Sequence, residues 1–178
     1  MTDKKKNLLE KKSINELTFS EIEKLKVIFF DFDGVFTDNK VLVSENGEES
    51  VFCFRGDGIG LSQLLKMGYQ LYVISSEINP LVKKRCEKLK INCLHAVENK
   101  GTLINSILKS KFLKKENAAF IGNDINDISA FQSVSLTIGV SDRNPLIDDF
   151  ISYLTHKSGG NGAVREVCDK IISLGEKK

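Results

Sequence analysis

From Val27 onwards the sequence alternates short apolar runs with helix-like segments, and this alternation limits the fold more than any other feature. The first run, Val27–Phe30, is too short for a buried helix but suits a strand covered on both faces. The same pattern predicts strands at 69–75, 91–95, 118–122, 135–140 and 151–154, and helices at 58–67, 79–88, 101–110, 126–133 and 162–174. Repeated βα units build a parallel sheet with helices on both faces. The sequence therefore predicts an α/β, Rossmann-like fold.

One segment, residues 41–54, interrupts this alternation. Its two apolar ends flank Asn46-Gly47, and Asn-Gly between apolar runs is the strongest short hairpin signal. We therefore expect a β-hairpin that projects from the sheet just after the first strand.

The chain divides into a polar N-terminal segment and one domain. Residues 1–19 predict a tail or a loosely attached arm. Ser20 and Glu23 have the spacing of a capping box, so a short helix is expected to begin there. Residues 20–178 contain no internal repeat and no low-complexity linker, which predicts a single folded domain.

Composition argues against several classes of function. The 178 residues carry 26 Lys and Arg against 24 Asp and Glu, and this balance is unlike that of a nucleic-acid binder. No apolar run approaches the roughly 18 residues of a membrane span, and none follows the N-terminal lysines as a secretory signal would. The four cysteines lack C-x-x-C spacing, so neither a zinc site nor a disulfide framework is expected. We expect a soluble, cytoplasmic protein that binds neither nucleic acid nor membranes.

Acids and amides follow two of the predicted strands. Asp31 and Asp33 abut the first apolar run, where two carboxylates are costly unless something binds them. Asn123, Asp124 and Asp127 follow a later strand; a turn that caps the next helix would explain one or two of them, but not the whole cluster. In parallel sheets ligands bind at the carboxyl ends of the strands. Together these oxygens would suit Mg²⁺.

Two further polar residues stand at the corresponding places in other βα units. Ser75 ends a predicted strand and could donate to an oxyanion, although a turn or cap role is an equal alternative. Lys100 lies in the first turn of a predicted helix, where positive charge opposes the helix dipole. An anionic partner would explain that placement, whereas an ordinary surface lysine is the alternative.

In the order acids, hydroxyl, lysine, acids, these sites resemble the four motifs of the haloacid dehalogenase (HAD) superfamily of phosphohydrolases, over roughly residues 25–174. Asp33–Asp38, the hairpin, Asp57–Gly60 and the run Gly159–Glu166 resemble one branch of it, and the last of these is the most specific signal. That branch holds 3-deoxy-D-manno-octulosonate 8-phosphate phosphatases, nonulosonate 9-phosphate phosphatases and the phosphatase-like C-terminal domains of acylneuraminate cytidylyltransferases.

The resemblance implies a role for each motif residue. Asp31 would be the nucleophile that forms an aspartyl-phosphate, and Asp33 the acid that protonates the leaving oxygen and then activates water. Ser75 and Lys100 would hold the phosphoryl oxygens, with Asp127 orienting Lys100 or a metal-bound water.

Mg²⁺ would bridge Asp31, the backbone carbonyl of Asp33 and the last motif. Relatives often have Asp where this chain has Asn123, which removes one negative charge from the site. Asp124 could serve as the ligand instead, so both residues are candidates.

The segment between Asp31 and Ser75 is too short for a large cap domain. Capless relatives of this branch are tetramers in which a neighbour covers each site, so a homotetramer is expected. By the same resemblance Arg55, Asp57, Ser76 and Arg165 would bind the substrate, with arginine pairing the carboxylate of a sugar acid.

The resemblance implies a Mg²⁺-dependent phosphatase that acts on a phosphorylated keto-sugar acid, as in the sugar-acid biosynthesis that feeds lipopolysaccharide. The substrate is either octulosonate 8-phosphate or a nonulosonate 9-phosphate, and the shift of Arg55 to two residues before Asp57 favours the second. The alternative is a non-catalytic oligomerisation or regulatory module associated with an acylneuraminate cytidylyltransferase. A phosphotransferase or mutase fits less well, because those enzymes usually need a cap that excludes water.

Overall fold

The apolar run that opens the alternation is a completely buried strand in the computed structural model, which describes residues 11–176. The strands are β1 (Lys12–Ser13), β2 (Val27–Phe30), β3 (Leu42–Val43), β4 (Glu49–Ser50), β5 (Gln70–Ile74), β6 (Asn92–Leu94), β7 (Ala118–Gly122), β8 (Leu136–Gly139) and β9 (Tyr153–Leu154). The α-helices are α1 (Phe19–Ile22), α2 (Asp57–Lys66), α3 (Pro80–Leu89), α4 (Lys100–Ser110), α5 (Ile128–Phe131) and α6 (Ala163–Gly175). Short 3₁₀ turns cover Ile14–Glu16, Lys115–Asn117, Ile125–Asp127 and Pro145–Phe150.

Seven strands form one sheet in the order β1-β9-β8-β7-β2-β5-β6, and every neighbouring pair is parallel. The chain runs outward from β2 through β5 to β6, then returns to place β7 on the other side of β2. This reversal is a topological switch point, the place where α/β sheets open a crevice at their carboxyl edge. The predicted parallel α/β sheet is confirmed.

Alternate side chains of β2 enter the two hydrophobic cores on opposite faces of the sheet. Ile28 and Phe30 pack in the core that also holds apolar residues of α2, α3 and α6. Val27 and Phe29 pack in the core formed with α4 and α5. Because both faces are covered, β2 reads as a continuous apolar run instead of an alternating one.

The predicted hairpin is present as β3 and β4, which pair antiparallel outside the main sheet. Both strands are exposed, and their regular pairing covers only two residues each, so most of segment 41–54 is irregular. Within residues 11–176, the segment between β2 and β5 holds only the hairpin and α2, which are too small to form a large cap. This agrees with the expected capless fold.

The structure differs from the expected tail at residues 12–19. β1 pairs with β9 at the edge of the sheet, and Ile14 and Leu17 are buried in the core. The capping box also lies two residues earlier than predicted, because Thr18 caps α1 and pairs with Glu21. Residues 1–10, with the lysine cluster, lie outside the described residues. None of the helices between residues 11 and 176 is long and apolar enough to cross a membrane.

If the segment before β2 is part of the core, Ile14→Ala should lower the free energy of unfolding by about 2–4 kcal/mol, the usual cost of truncating a buried aliphatic side chain. The matched control is Ile59→Ala, since Ile59 is 56% exposed. It should change stability by less than about 0.5 kcal/mol. Urea unfolding of both variants measures the difference, and equal stabilities would show that β1 and the following turn are only loosely attached.

Candidate active site

The crevice at the switch point lies where β2 and β7 end side by side. Asp31 follows β2 and donates its backbone N–H to the carbonyl of Ile121 at 2.9 Å, which continues the strand pairing by one residue. Asn123 follows β7 on the neighbouring strand. Two of the polar clusters expected at strand ends are therefore in contact, and their side chains share one edge of the sheet.

A buried lysine joins these two clusters. Lys100 begins α4, and its Nζ lies 2.7 Å from Oδ1 of Asp31 and 2.7 Å from Oδ1 of Asp127. All three side chains are at most 5% exposed. The surface-lysine alternative for Lys100 is therefore wrong, because its ammonium group is held between two carboxylates that come from different strands.

The charge balance of this group favours a cationic partner. Burial and the charge of Asp127 raise the pKa of Asp31, Lys100 opposes both, and the net pKa is about 8. Burial lowers the pKa of Lys100, but the two carboxylates outweigh this and the net shift is upward. With one ammonium between two carboxylates, full ionisation leaves one excess negative charge that water cannot easily solvate.

Asp33 is less enclosed than Asp31. Burial raises the pKa of Asp33, and the charges of Glu77 and Glu49 add to that effect while Lys100 lowers it. A carboxyl group with a raised pKa can hold a proton closer to neutral pH, which is a property of general acids.

Asn123 presents an unpaired oxygen to the site. Its side chain packs on Gly34, where φ is +77° and a Cβ would lie 2.0 Å from Asn123 Nδ2. The Oδ1 atom of Asn123 is buried and lacks a hydrogen-bond partner among residues 11–176. In Asp124, by contrast, Oδ1 accepts from the backbone N–H of Ile125 at 2.7 Å and from Asn144 Nδ2 at 2.8 Å. The amide therefore has a free buried acceptor, and the neighbouring carboxylate already caps a turn.

Asp127 has a second contact in the same loop. Its Oδ2 accepts the backbone N–H groups of Asn123, at 2.9 Å, and Asp124, at 3.3 Å. One carboxylate therefore fixes both Lys100 and the loop that follows β7.

Asp31, Asp33, Asn123 and Asp124 border a cavity of about 450 Å³. Its lining residues are Asp31, Asp33, Asn39, Ser76, Glu77, Asn123, Asp124, Ile125, Asn126 and Asn144. A side pocket of about 200 Å³ shares Asp33, Asn39 and Glu77 with the cavity and extends toward the hairpin and the start of α3. Within residues 11–176 no three His, Cys, Asp or Glu side chains form a metal cluster, so a cation here would also need amide, backbone or water oxygens.

Ser75 and Ser76 follow β5, and the second of them lines this cavity. The Ser75 hydroxyl is buried and accepts the backbone N–H of Glu77 at 3.1 Å, which is the turn role considered above. That hydrogen bond leaves the hydroxyl proton free to donate. Ser76 is exposed and lines the cavity directly.

The other candidate substrate residues do not line the cavity. Asp57 at the start of α2 accepts the backbone N–H of Arg165 at 3.1 Å. The Arg165 side chain donates to Asp169 at 2.6 Å and to the Gly56 carbonyl at 3.3 Å, so its guanidinium group is already engaged. Arg55 is exposed. Within one copy of the chain, this group is separate from the cavity.

Glu77, Asn39 and Asn144 line the cavity but were not among the residues selected from the sequence. Asn144 and Glu77 could have been found, since both follow predicted strands within a few residues. Asn39 adopts a positive φ of 61° after the turn that follows β2, and no pattern in the sequence indicates that position.

Comparisons with known proteins agree with this geometry. A family of haloacid dehalogenase-like hydrolases matches residues 73–167. The 3-deoxy-D-manno-octulosonate 8-phosphate phosphatase KdsC of Salmonella typhi is 32% identical over 154 residues, 86% of this chain and 82% of that protein.

Solved structures give the same result. The octulosonate phosphatase of Moraxella catarrhalis, in complex with magnesium, phosphate and KDO, superposes with a TM-score of 0.83 at 28% identity, covering 88% of this chain and 90% of that one. The cobalt-bound enzyme of Haemophilus influenzae gives 0.82 at 28% identity, covering 88% and 92%.

Proposed function

The chain belongs to the haloacid dehalogenase-like hydrolases, as a phosphatase of the KdsC type, and from that premise we propose that it hydrolyses a phosphorylated keto-sugar acid with Mg²⁺ through an aspartyl-phosphate on Asp31. The observation that carries the proposal is the contact of Lys100 with both Asp31 and Asp127 beneath a cavity that Asp33 also lines. The contact supports an assignment in which Asp31 is the nucleophile, Asp33 the proton donor and Lys100 the ammonium group for the phosphate.

Asp31 is prepared for nucleophilic attack by its hydrogen bonds. Oδ1 accepts from Lys100 Nζ and from the backbone N–H of Phe32, each at 2.7 Å. These contacts fix the carboxylate and leave Oδ2 as the attacking atom. Oδ2 forms a bond to phosphorus while the phosphorus–oxygen bond to the sugar breaks, and Asp33 gives its proton to the departing alkoxide.

The second half of the reaction regenerates the enzyme. Asp33, now ionised, takes a proton from water, and the resulting hydroxide attacks phosphorus. The bond between phosphorus and Asp31 breaks, and inorganic phosphate leaves. Lys100 and the Ser75 hydroxyl stabilise the phosphoryl oxygens in both steps, because positioned charges supply most of the catalysis in phosphoryl transfer.

The residues present fit a divalent metal ion. The excess negative charge of the buried group and the unpaired Oδ1 of Asn123 would both be satisfied by a hard cation. We propose Asp31, the Asp33 carbonyl and Asn123 as its ligands, with Asp124 less suited because its Oδ1 is already engaged. Bound there, Mg²⁺ would neutralise the charge that the phosphate group and Asp31 bring together.

The substrate proposal depends on the relatives. The Salmonella typhi and Moraxella catarrhalis proteins are octulosonate 8-phosphate phosphatases by name, which supports a keto-sugar acid bearing a terminal phosphate. The position of Arg55 two residues before Asp57 favours a nonulosonate 9-phosphate instead. The carbon chains of the two substrates differ in length by one carbon, and both carry a carboxylate at one end and a phosphate at the other, so the two must be compared directly.

We propose that the chain works as a homotetramer in which a neighbour covers the cavity. The hairpin exposes apolar side chains that a single copy leaves in solvent: Val41 is 51% exposed, Leu42 66%, Val43 61% and Phe52 77%. A cluster of this kind marks an interaction surface. A second copy could also bring side chains such as Arg55 near the cavity, whose lining within residues 11–176 includes no arginine.

The catalytic proposal predicts Mg²⁺-dependent phosphate release from octulosonate 8-phosphate or nonulosonate 9-phosphates that is lost in Asp31→Asn. The amide is a poor nucleophile, so kcat should fall by at least about 10³-fold. Asp148→Asn, which removes only an ion pair with Arg143 outside the cavity, should leave kcat within about twofold. A wild-type protein inert on all these substrates would instead favour the non-catalytic module associated with a cytidylyltransferase.

The metal proposal predicts that Asn123 and Asp124 respond differently. Asn123→Asp should tighten Mg²⁺ binding by about tenfold, because it adds a charged oxygen where the neutral one stands. Asp124→Asn should change it by less than about threefold, since the amide keeps the acceptor that caps the turn. Isothermal calorimetry measures both without any substrate. Weaker binding in Asp124→Asn than in Asn123→Ala would make Asp124 the ligand.

The assembly proposal predicts a tetramer by sedimentation velocity in the wild-type protein. Leu42→Asp should dissociate it, because the charge would be buried in the interface. Lys40→Asp, which changes an exposed residue next to the apolar cluster, is the control and should remain assembled. A wild-type protein that is monomeric at micromolar concentration would contradict the tetramer proposal.

A further inference from the structure

The glycine-rich run Gly159–Glu166 packs against the turn that carries Asp33. The backbone N–H of Gly160 donates to the carbonyl of Val35 at 3.1 Å. A Cβ at Gly159 would lie 1.9 Å from the carbonyl oxygen of Gly34 and 2.9 Å from that of Thr37, so the two backbones are in direct contact. Only glycine fits at position 159, and this close packing explains why the run has a glycine there.

The same turn touches the proposed metal ligand on its other side. A Cβ on Gly34 would collide with the side chain of Asn123, while Gly159 packs against the Gly34 carbonyl. A shift of the run would therefore move Gly34, and with it the Asn123 amide and the Asp33 backbone. The turn after β2, the loop after β7 and the loop before α6 are therefore packed against one another at Gly34.

Glu166 anchors the run at its far end. Its carboxylate accepts the backbone N–H of His156, at 3.0 Å to Oε2, and that of Lys157, at 2.9 Å. The Nδ1 atom of His156 lies 2.6 Å from Oε1, and the other ring nitrogen contacts the Ser13 hydroxyl at 3.1 Å. One side chain of α6 thus holds the start of the loop that carries Gly159.

Asp142 gives the loop a second support. Its Oδ1 accepts the backbone N–H of Gly159 at 3.0 Å, from the segment that follows β8. Together with Glu166 it fixes the loop from both directions. The cavity contains neither carboxylate, so their contribution to the site passes through the backbone.

We propose that the run Gly159–Glu166 is a support that sets the position of the acid-bearing turn, with Glu166 and Gly159 as positioning residues for phosphoryl transfer and for the metal ion. The proposal depends on the catalytic function and metal ligands given above. In this proposal the run places Asp33 and Asn123 correctly, and this role is separate from any contact with the sugar.

The test compares Glu166→Gln and Glu166→Ala with the wild-type protein. Glutamine keeps one acceptor but turns an NH₂ group toward backbone N–H donors, so the loop should loosen partly, and alanine should loosen it fully. Because supporting residues of metal sites typically contribute 10–100-fold, we expect kcat to fall by about 10-fold for glutamine and about 100-fold for alanine, with KM within about twofold. Glu87→Gln, on the exposed face of α3, is the control and should match the wild type.

Calorimetric Mg²⁺ affinity gives a readout that needs no turnover. It should weaken in the same order, by about 3-fold and 10-fold, through displacement of Asn123. If Gly159→Ala folds, it should lower kcat and weaken Mg²⁺ binding more strongly than the Glu166 variants do. If it does not fold, Glu166→Gln still provides the test. Unchanged kcat and Mg²⁺ affinity in folded Glu166→Ala would overturn the proposal. They would overturn it even if the melting temperature of the variant were lower. An inactive wild-type protein would instead overturn the catalytic function, while the metal affinities would still decide the positioning role.

Discussion

The ammonium group of Lys100, held at 2.7 Å from both Asp31 and Asp127, is the contact on which the rest of the site depends. Without the lysine, two carboxylates would be buried in an apolar sheet edge, and each would carry a large desolvation cost. With it, the end of β2, the start of α4 and the loop after β7 are joined at one point. The remaining negative charge is what supports the proposal of a divalent cation in this pocket.

The sheet topology brings these groups together without long connections. β2 and β7 are neighbours although a large part of the chain separates them, and the reversal of direction opens the crevice between them. The helices pack on the two faces and leave the carboxyl edge uncovered. A catalytic group at the end of any central strand then faces the same cavity, so the fold determines where the site lies and the strand-end residues determine its chemistry.

Local pattern was sufficient for the strands, the helices, the hairpin and the meeting of Asp31 with Asn123, because these follow from apolar runs and from the parallel direction of the strands. It was not sufficient for β1, whose pairing with β9 is a long-range contact in a segment of polar composition. It also did not select Glu77 or Asn144 at the cavity wall: both lie within a few residues of predicted strands, but that position alone does not separate them from other polar loop residues. The substrate roles of Arg55, Asp57 and Arg165 came from resemblance, and they stay predictions: in one copy these residues form their own group, with Arg165 bound to Asp169 and to the Gly56 carbonyl.

The contact between Gly34 and Gly159 joins the first βα turn to the loop before the last helix. A nascent chain carries Asp31 and Asp33 well before it carries Gly159, against which their turn rests. Contacts between such distant segments form late in folding, because the intervening chain must first lose its freedom. The acids are therefore synthesised before the backbone that places them, and the site is complete only once the segment that carries Gly159 has been made and has folded against their turn.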